Sequence, residues 1–380
     1  VFSGTDFQSS SVLTEEVLGA IRGRAAGYDQ RNEFFHEDLE ALREIGYLRP
    51  RGLGQMVADQ RRLAAHAPAT ALGLGMHLTW MGVARDMVRS GHGELQWVLD
   101  DGEAGELFAF GVSERGNDRV LSDSLVRVES TAEGFAYTGE KIFVSLSPAW
   151  TRLSVLGRMG DDIVHGFITR DQPGWSNTPD WDTLGMRATQ SYTTALEGAV
   201  VAPERVARRL PVGPNDDAFT VAIFHNFLLL VSAVYAGIAD RALELAVEGV
   251  AAKASAFDPR QTLDSDPDIR WQLADQAIAL DALAPQLWAY ARVVDEGHQP
   301  PAHWFRLLSG VKHNAVETAR RVVDQAMRVV GGGGYRSSSE LSRLQRDVLA
   351  GVYHPSDTEA VHRTVAADLF GPVAEAEPLA

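Results

Sequence analysis

A mainly helical protein with a β domain in its middle is the fold the sequence predicts. Residues 1–106 form an N-terminal helical domain, 107–212 a small antiparallel β domain and 213–380 a C-terminal four-helix bundle. Two observations predict this. Apolar residues recur every three or four positions at both ends of the chain, while the middle holds short β-branched and aromatic runs broken by Gly, Asp and Pro.

In order, Val17-Leu18-Ile21, Leu39-Leu42-Ile45 and the alanine-rich stretch from Leu63 to Leu74 carry the first helices. Strands are predicted at Leu125–Glu129, Gly134–Gly139, Lys141–Val144, Leu153–Leu156, Val164–Ile168 and Thr194–Val201. Phe219 to Lys253 is apolar on most faces and reads as one long buried helix. Helices follow at Gln272–Asp295, at Trp304–Val330, where Val316, Ala319, Val323, Ala326 and Val330 make a stripe, and at Asp357–Phe370. The tail from Pro372 reads as frayed.

Composition narrows the chemistry. With 380 residues and 45% hydrophobic content the chain can build large cores without staples. It has no cysteine, which excludes disulfides, thiolate metal sites, iron–sulfur clusters and cysteine nucleophiles. A net charge of −16 argues against nucleic acid or an anionic membrane as partner. The longest apolar run, Phe227 to Ala239, is shorter than the roughly 20 residues a bilayer requires. The N-terminal stretch lacks the basic and apolar regions of a signal peptide, so a soluble cytoplasmic protein is expected.

Candidate chemistry is sparse. Gly331–Gly334 can cradle a phosphate or simply end a helix, and local pattern leaves the two even. There is no HExxH, G-x-S-x-G or Walker A pattern, His298 and His303 flank a loop, and no metal is expected. The acid pairs Asp161-Asp162 and Asp216-Asp217 read as solvated loops. His77, His225 and His354 each interrupt apolar surroundings, where a satisfied core histidine is the commoner outcome.

Five segments in order resemble the acyl-CoA dehydrogenase superfamily across residues 15 to 371. They are Phe110-Gly111-Val112-Ser113-Glu114-Arg115-Gly116, Gly139-Glu140-Lys141-Ile142-Phe143-Val144-Ser145, Trp181-Asp182-Thr183-Leu184-Gly185-Met186-Arg187-Ala188-Thr189, Val330-Gly331-Gly332-Gly333-Gly334-Tyr335, and Arg346-Asp347. The resemblance implies a flavin bound by Gly111, Val112, Ser113, Phe143, Ser145, Lys253, Phe257 and Gly331, Gly332, Gly333 and Gly334, the glycines serving a neighbouring subunit of a homotetramer or homodimer. The glycine turn favours FAD, and the degraded Lys253–Phe257 segment leaves FMN open.

The superfamily's dehydrogenases keep a catalytic glutamate before the last helix or early in the long helix. Here Tyr353-His354-Pro355-Ser356 and Phe227 stand at those places. The sequence is closest in these residues to the superfamily's flavin-dependent monooxygenases. That resemblance implies reduced flavin from a separate reductase, O2, a C4a-hydroperoxide, and an apolar or aromatic small-molecule substrate. His77, Ser145 and His354 would be catalytic, and Met76, Trp80, His225 and Tyr353 would line the substrate. The alternative is an acyl-CoA or acyl-carrier dehydrogenase whose base has moved to Asp357 or Glu359.

Overall fold

The computed structural model describes residues 11–254, 258 and 260–371. Helices α1 (Glu15–Arg31), α2 (His36–Glu44), α3 (Leu53–Ala64), α4 (Pro68–Arg89) and α5 (Gln96–Glu103) come first. Thr14 caps α1 by accepting the Val17 N–H, and Asn32 ends it in the left-handed region. Pro68 starts α4, whose missing N–H is harmless in a first turn. Most of α4 is buried, and Gly82 admits a neighbour: a Cβ there would lie 1.9 Å from Asn226 Oδ1.

The middle holds β1 (Phe108–Gly111), β2 (Arg127–Thr131), β3 (Gly134–Val144), β4 (Arg152–Met159), β5 (Asp162–Thr169), β6 (Trp175–Thr178), β7 (Tyr192–Val201) and β8 (Val206–Pro211). They form one eight-stranded sheet ordered β6-β7-β3-β2-β4-β5-β8, with β1 also on β4. The sheet is mixed rather than antiparallel throughout. β1 runs parallel to β4, as does β2 where Arg127 meets Arg158. Long intervening segments make this possible, because parallel neighbours cannot be joined by a hairpin.

The C-terminal part is built on α6 (Ala218–Ala251), capped by Asp217. By length and composition α6 could cross a membrane, which the shorter apolar run in the sequence conceals. In this fold 89% of its apolar window is buried inside the protein, so it is a core helix. α3, α4 and a later helix, α9 (Trp304–Val330), pack around it. The single helix expected over 272–295 is two, α7 (Pro267–Asp281) and α8 (Leu283–Asp295). Pro285, in the first turn of α8, has no N–H with which to continue α7.

The sequence reading passed over α10 (Glu340–Val348), a nine-residue helix that buries Leu341, Leu344 and Val348. The last helix is α11 (Thr358–Phe370).

Candidate active site

The ends of β1 and β3 lie side by side, because the Ile142 N–H donates to Ser113 O at 2.9 Å. This brings Gly111–Ser113 next to Phe143–Ser145. Beneath them a buried ion pair braces both strands: Lys141 Nζ lies 2.5 Å from Glu114 Oε1. Leu125 N–H donates to the same carboxylate at 2.6 Å, and the Ser124 hydroxyl donates to it as well. Burial pushes the Lys141 ammonium down to about 8 despite its partner. Burial alone would raise the Glu114 carboxyl, but the Lys141 charge and the added hydrogen bonds hold it below its ordinary value.

Beyond Lys141 the chain leaves the β3 line through left-handed residues, Phe143 (φ 57°) and Leu146 (φ 68°). Phe143 remains 55% exposed, with its ring edge-on to Trp181. Ser145 turns inward. Its hydroxyl is 2.8 Å from Ser191 Oγ, which is 2.8 Å from Thr189 Oγ1.

The turn carrying Thr189 is gripped from α10. Asp347 accepts the Met186 N–H at 2.6 Å. Arg346 donates to Leu184 O at 2.9 Å and to Asp29 at 2.9 Å. A Cβ on Gly185 would sit 2.3 Å from Arg346 O, so only glycine fits. Arg346-Asp347 therefore clamps three parts of the protein together.

His354 lies in the break between α10 and α11. Its ring packs 5.9 Å from Tyr235, and its Nε2 is buried without a hydrogen-bond partner among the described residues, as is Tyr235 Oη. Burial, reinforced by the Lys312 ammonium, lowers the imidazole to about 3, so it rests neutral. Lys312 on α9 shapes this break: its Nζ donates to Gly351 O at 2.9 Å, His354 O at 3.0 Å and Ser356 O at 2.8 Å. Its own pKa falls to about 8 through burial. Three carbonyls need three N–H donors, which an ammonium has and a neutral amine lacks.

Other candidates have different jobs. His77 is fully buried: its Nε2 donates to Leu48 O at 2.8 Å while its Nδ1 accepts the Phe108 N–H at 3.1 Å. Burial lowers it to about 4. A neutral ring has one N–H, and here it is already used, so His77 is a clamp between α4, the Leu48 segment and β1 rather than a proton donor. His225 Nε2 is tied to Asp86 at 2.8 Å, in a cluster with Asn226. Tyr353 is 79% exposed.

Met76 and Trp80 are buried, Trp80 against Phe110 and Phe167. Beside Trp80 a small cavity is lined by Val112, Ser154, His165 and Ile223. His165 Nε2 has no partner among the described residues, and burial lowers that ring to about 3. Neither relocated base holds: Asp357 caps α11 by accepting the Ala360 N–H at 2.7 Å, and Glu359 is exposed. Lys253 is exposed, and Phe257 lies outside the described residues.

The glycine turn follows α9. Gly331 has φ 74°, which favours glycine. Gly332 and Gly333 have open space where a Cβ would be, so nothing within this subunit demands glycine there. An anion resting on bare backbone would. Arg336 is exposed two residues past the last glycine of the run. Gly331 stands nineteen positions after Lys312 along α9, about 28 Å at 1.5 Å per residue. The open glycine cradle, the outward Phe143 and the orphaned His354 Nε2 together fit a flavin, with its phosphates and its ring served by separate regions.

Comparison with known proteins points to a family. The sequence profile described as "Acyl-CoA dehydrogenase, C-terminal domain" matches residues 219–365. Residues 219–365 thus match the acyl-CoA dehydrogenase C-terminal domain, and relatives of the same family resemble the chain beyond it. A putative acyl-CoA dehydrogenase of Bacillus subtilis is 28% identical over 91% of this chain and 92% of its own length. L-evernosamine nitrososynthase of a Micromonospora species is 30% identical over 58% of this chain and 53% of its own. A dibenzothiophene monooxygenase of Rhodococcus erythropolis is 27% identical over 82% and 81%.

Among solved structures, butyryl-CoA dehydrogenase from Megasphaera elsdenii superposes with a TM-score of 0.83 at 18% identity, covering 97% of this chain and 99% of its own. A nitrososynthase from Micromonospora carbonacea gives 0.80 at 22% identity, covering 94% of each. The superfamily fold is thus common to enzymes of both chemistries, and this member is a flavin-dependent oxidoreductase. Which chemistry it performs is decided by site residues.

Proposed function

We propose that the protein is the oxygenating component of a two-component flavin monooxygenase. It would take reduced flavin from a separate reductase and use O2 to oxygenate a small apolar or aromatic molecule. One observation carries the reading: a neutral, partnerless imidazole stands where a dehydrogenase of this superfamily keeps its carboxylate. Removing the α-proton of an acyl thioester requires a base at working pH. His354 is too weak a base, Phe227 cannot serve, Asp357 is spent on a helix cap and Glu359 faces solvent. Relatives named for dibenzothiophene oxygenation and nitrososynthesis support the same side.

When bound, reduced flavin supplies the electrons that activate O2. The protein's part is to bind, orient and hold protons. Gly331–Gly334 would receive the pyrophosphate of FAD, with FMN the alternative. Gly111–Ser113 and Phe143–Ser145 would line the ring. Negative charge arriving beside His354 would raise its pKa and draw a proton onto it, while the ring's burial keeps water away. Because the glycine turn lies farther from the His354 corner than one flavin's ring lies from its own pyrophosphate, the complete site would be shared within a dimer or tetramer. Trp271 and Ile278, each 71% exposed on α7, supply apolar surface for such assembly.

NADH-driven product formation that appears only with an added flavin reductase is the expected result. Anaerobic bleaching of bound oxidised flavin by an acyl-CoA would establish the dehydrogenase instead.

A further inference from the structure

We infer that the cavity beside Trp80 anchors one neutral hydroxyl group, so that the substrate is an aromatic or apolar alcohol or phenol rather than a bare hydrocarbon or a carboxylate. Its use as a substrate anchor rests on the function proposed above.

Three polar side chains line the cavity: Trp80 on α4, Ser154 on β4 and His165 on β5, each 4% exposed or less. Trp80 Nε1 and His165 Nε2 have no hydrogen-bond partner among the described residues. Ser154 Oγ accepts the Gly111 N–H at 3.3 Å, and among the described residues nothing takes its own proton. Two unpaired atoms and a spare proton round one cavity cost free energy unless a polar guest completes them. The cavity is small, which suits a single hydroxyl better than a larger polar group. The way in is marked by Val112, which lines the cavity and belongs to the Gly111–Ser113 segment proposed to line the flavin ring. Val112 and Phe110 keep a trace of exposure, whereas Phe108 and Ala109 keep none. Phe110 packs on Trp80 at 5.4 Å and on Phe227 at 5.5 Å, so a guest lying along these rings meets the cavity once Val112 turns aside.

Counting donors and acceptors selects the guest. The Trp80 indole N–H can only donate, and the spare Ser154 proton is a second donor, so the guest must accept twice. Burial, reinforced by the Lys141 ammonium, keeps His165 neutral, with one N–H and one bare nitrogen. A hydroxyl oxygen accepts from Trp80 and Ser154 and gives its own proton to His165. A carbonyl oxygen filled by the same two donors has no proton to give, and a hydrocarbon satisfies none of the three. A carboxylate would lack a counter-charge. The charges that reach His165 are Lys141, already paired with Glu114 at 2.5 Å, and Asp217, which caps α6. Burying an anion beside them would cost more than the two hydrogen bonds return.

The test is calorimetric titration of phenol, toluene and benzoate into the full chain of wild type, Trp80→Phe and His165→Leu. The readout is the ratio of phenol to toluene affinity, in which changes of apolar packing largely cancel. Either substitution should lower that ratio about tenfold, the scale of one stranded buried hydrogen bond. Benzoate should bind wild type about tenfold more weakly than phenol, or worse. Trp80→Phe keeps an aromatic ring against Phe110 and Phe167, so it carries the test if His165→Leu does not fold. An unchanged ratio in a folded variant, or benzoate binding as tightly as phenol, overturns the hydroxyl anchor and leaves the proposed function standing. A ratio that falls as expected, in a protein that forms no product with added reductase, overturns the proposed function and not the site.

Discussion

His77, fully buried, and His354, half-buried with a buried Nε2, are both held neutral, yet the regions around them treat an imidazole in opposite ways. In the α4 core both nitrogens of His77 are matched to backbone groups, one donating to Leu48 O and one accepting from Phe108 N–H. At the break before α11 the surroundings bond to the backbone of His354, through Lys312, and leave Nε2 alone. Matching stabilises a fold, while an unmatched buried polar atom costs free energy and is tolerated where a guest completes it. The difference teaches that the position of a histidine in a family pattern says less than the inventory of its partners.

The comparison breaks most sharply at His354. His354→Asn keeps the backbone carbonyl that Lys312 holds, so folding and flavin affinity should survive. Oxygenated product should fall about 100-fold or more, with the electrons appearing as hydrogen peroxide, the scale for losing a positioned proton donor. Coupled turnover retained by the variant, measured as product per NADH, would move the catalytic role elsewhere.

At His77 the effect should be on stability. His77→Phe fills the volume but strands the Leu48 carbonyl and the Phe108 N–H, for a loss of about 2 kcal/mol in urea unfolding with little change in coupling. The pH dependence sharpens this. The ring titrates near 6.5 unfolded and near 4 folded, so between those values the unfolded chain binds more protons. Stability is present above pH 6.5 and is lost as pH falls towards 4, by at most about 1.4 kcal/mol per unit for one histidine. His354 and His165, both lowered to about 3, act in the same direction. His77→Phe should remove one proton from this slope. A variant with wild-type stability and slope but uncoupled turnover would return His77 to the catalytic site.

What the sequence carried depended on how local the cause is. The stripe on α9, the apolar length of α6 and the order of the five motifs are patterns of neighbouring residues, and they located the helices, the sheet and the superfamily. Parallel pairing of β1 with β4 depends on two segments about 40 residues apart in sequence, and nothing in either strand announces it. The split at Ala282 was available from Pro285, which the helical run around it outweighed. Lys312 is one charge on α9. Its three carbonyl partners lie some 40 residues away, so no spacing rule could connect them. His165 sits in a β-rich run where the alternation of a strand explains it, and only the cavity beside Trp80 makes its free nitrogen visible.

The smallest effect separates binding from folding at the glycine turn, a contrast the two histidines cannot supply. Gly333 has space around its absent Cβ and no left-handed backbone, so Gly333→Val meets nothing within the subunit. Its stability should stay within about 0.5 kcal/mol of wild type, as for a surface substitution. A side chain there would stand between the backbone N–H groups and an approaching phosphate. Affinity for FAD should therefore fall about tenfold or more, while FMN, which has no pyrophosphate, should lose less. Paired titrations of the two flavins read this directly. Equal losses for FAD and FMN would place the turn near a single phosphate and favour FMN as the cofactor, whereas no loss for either would make Gly331–Gly334 a helix ending and nothing more.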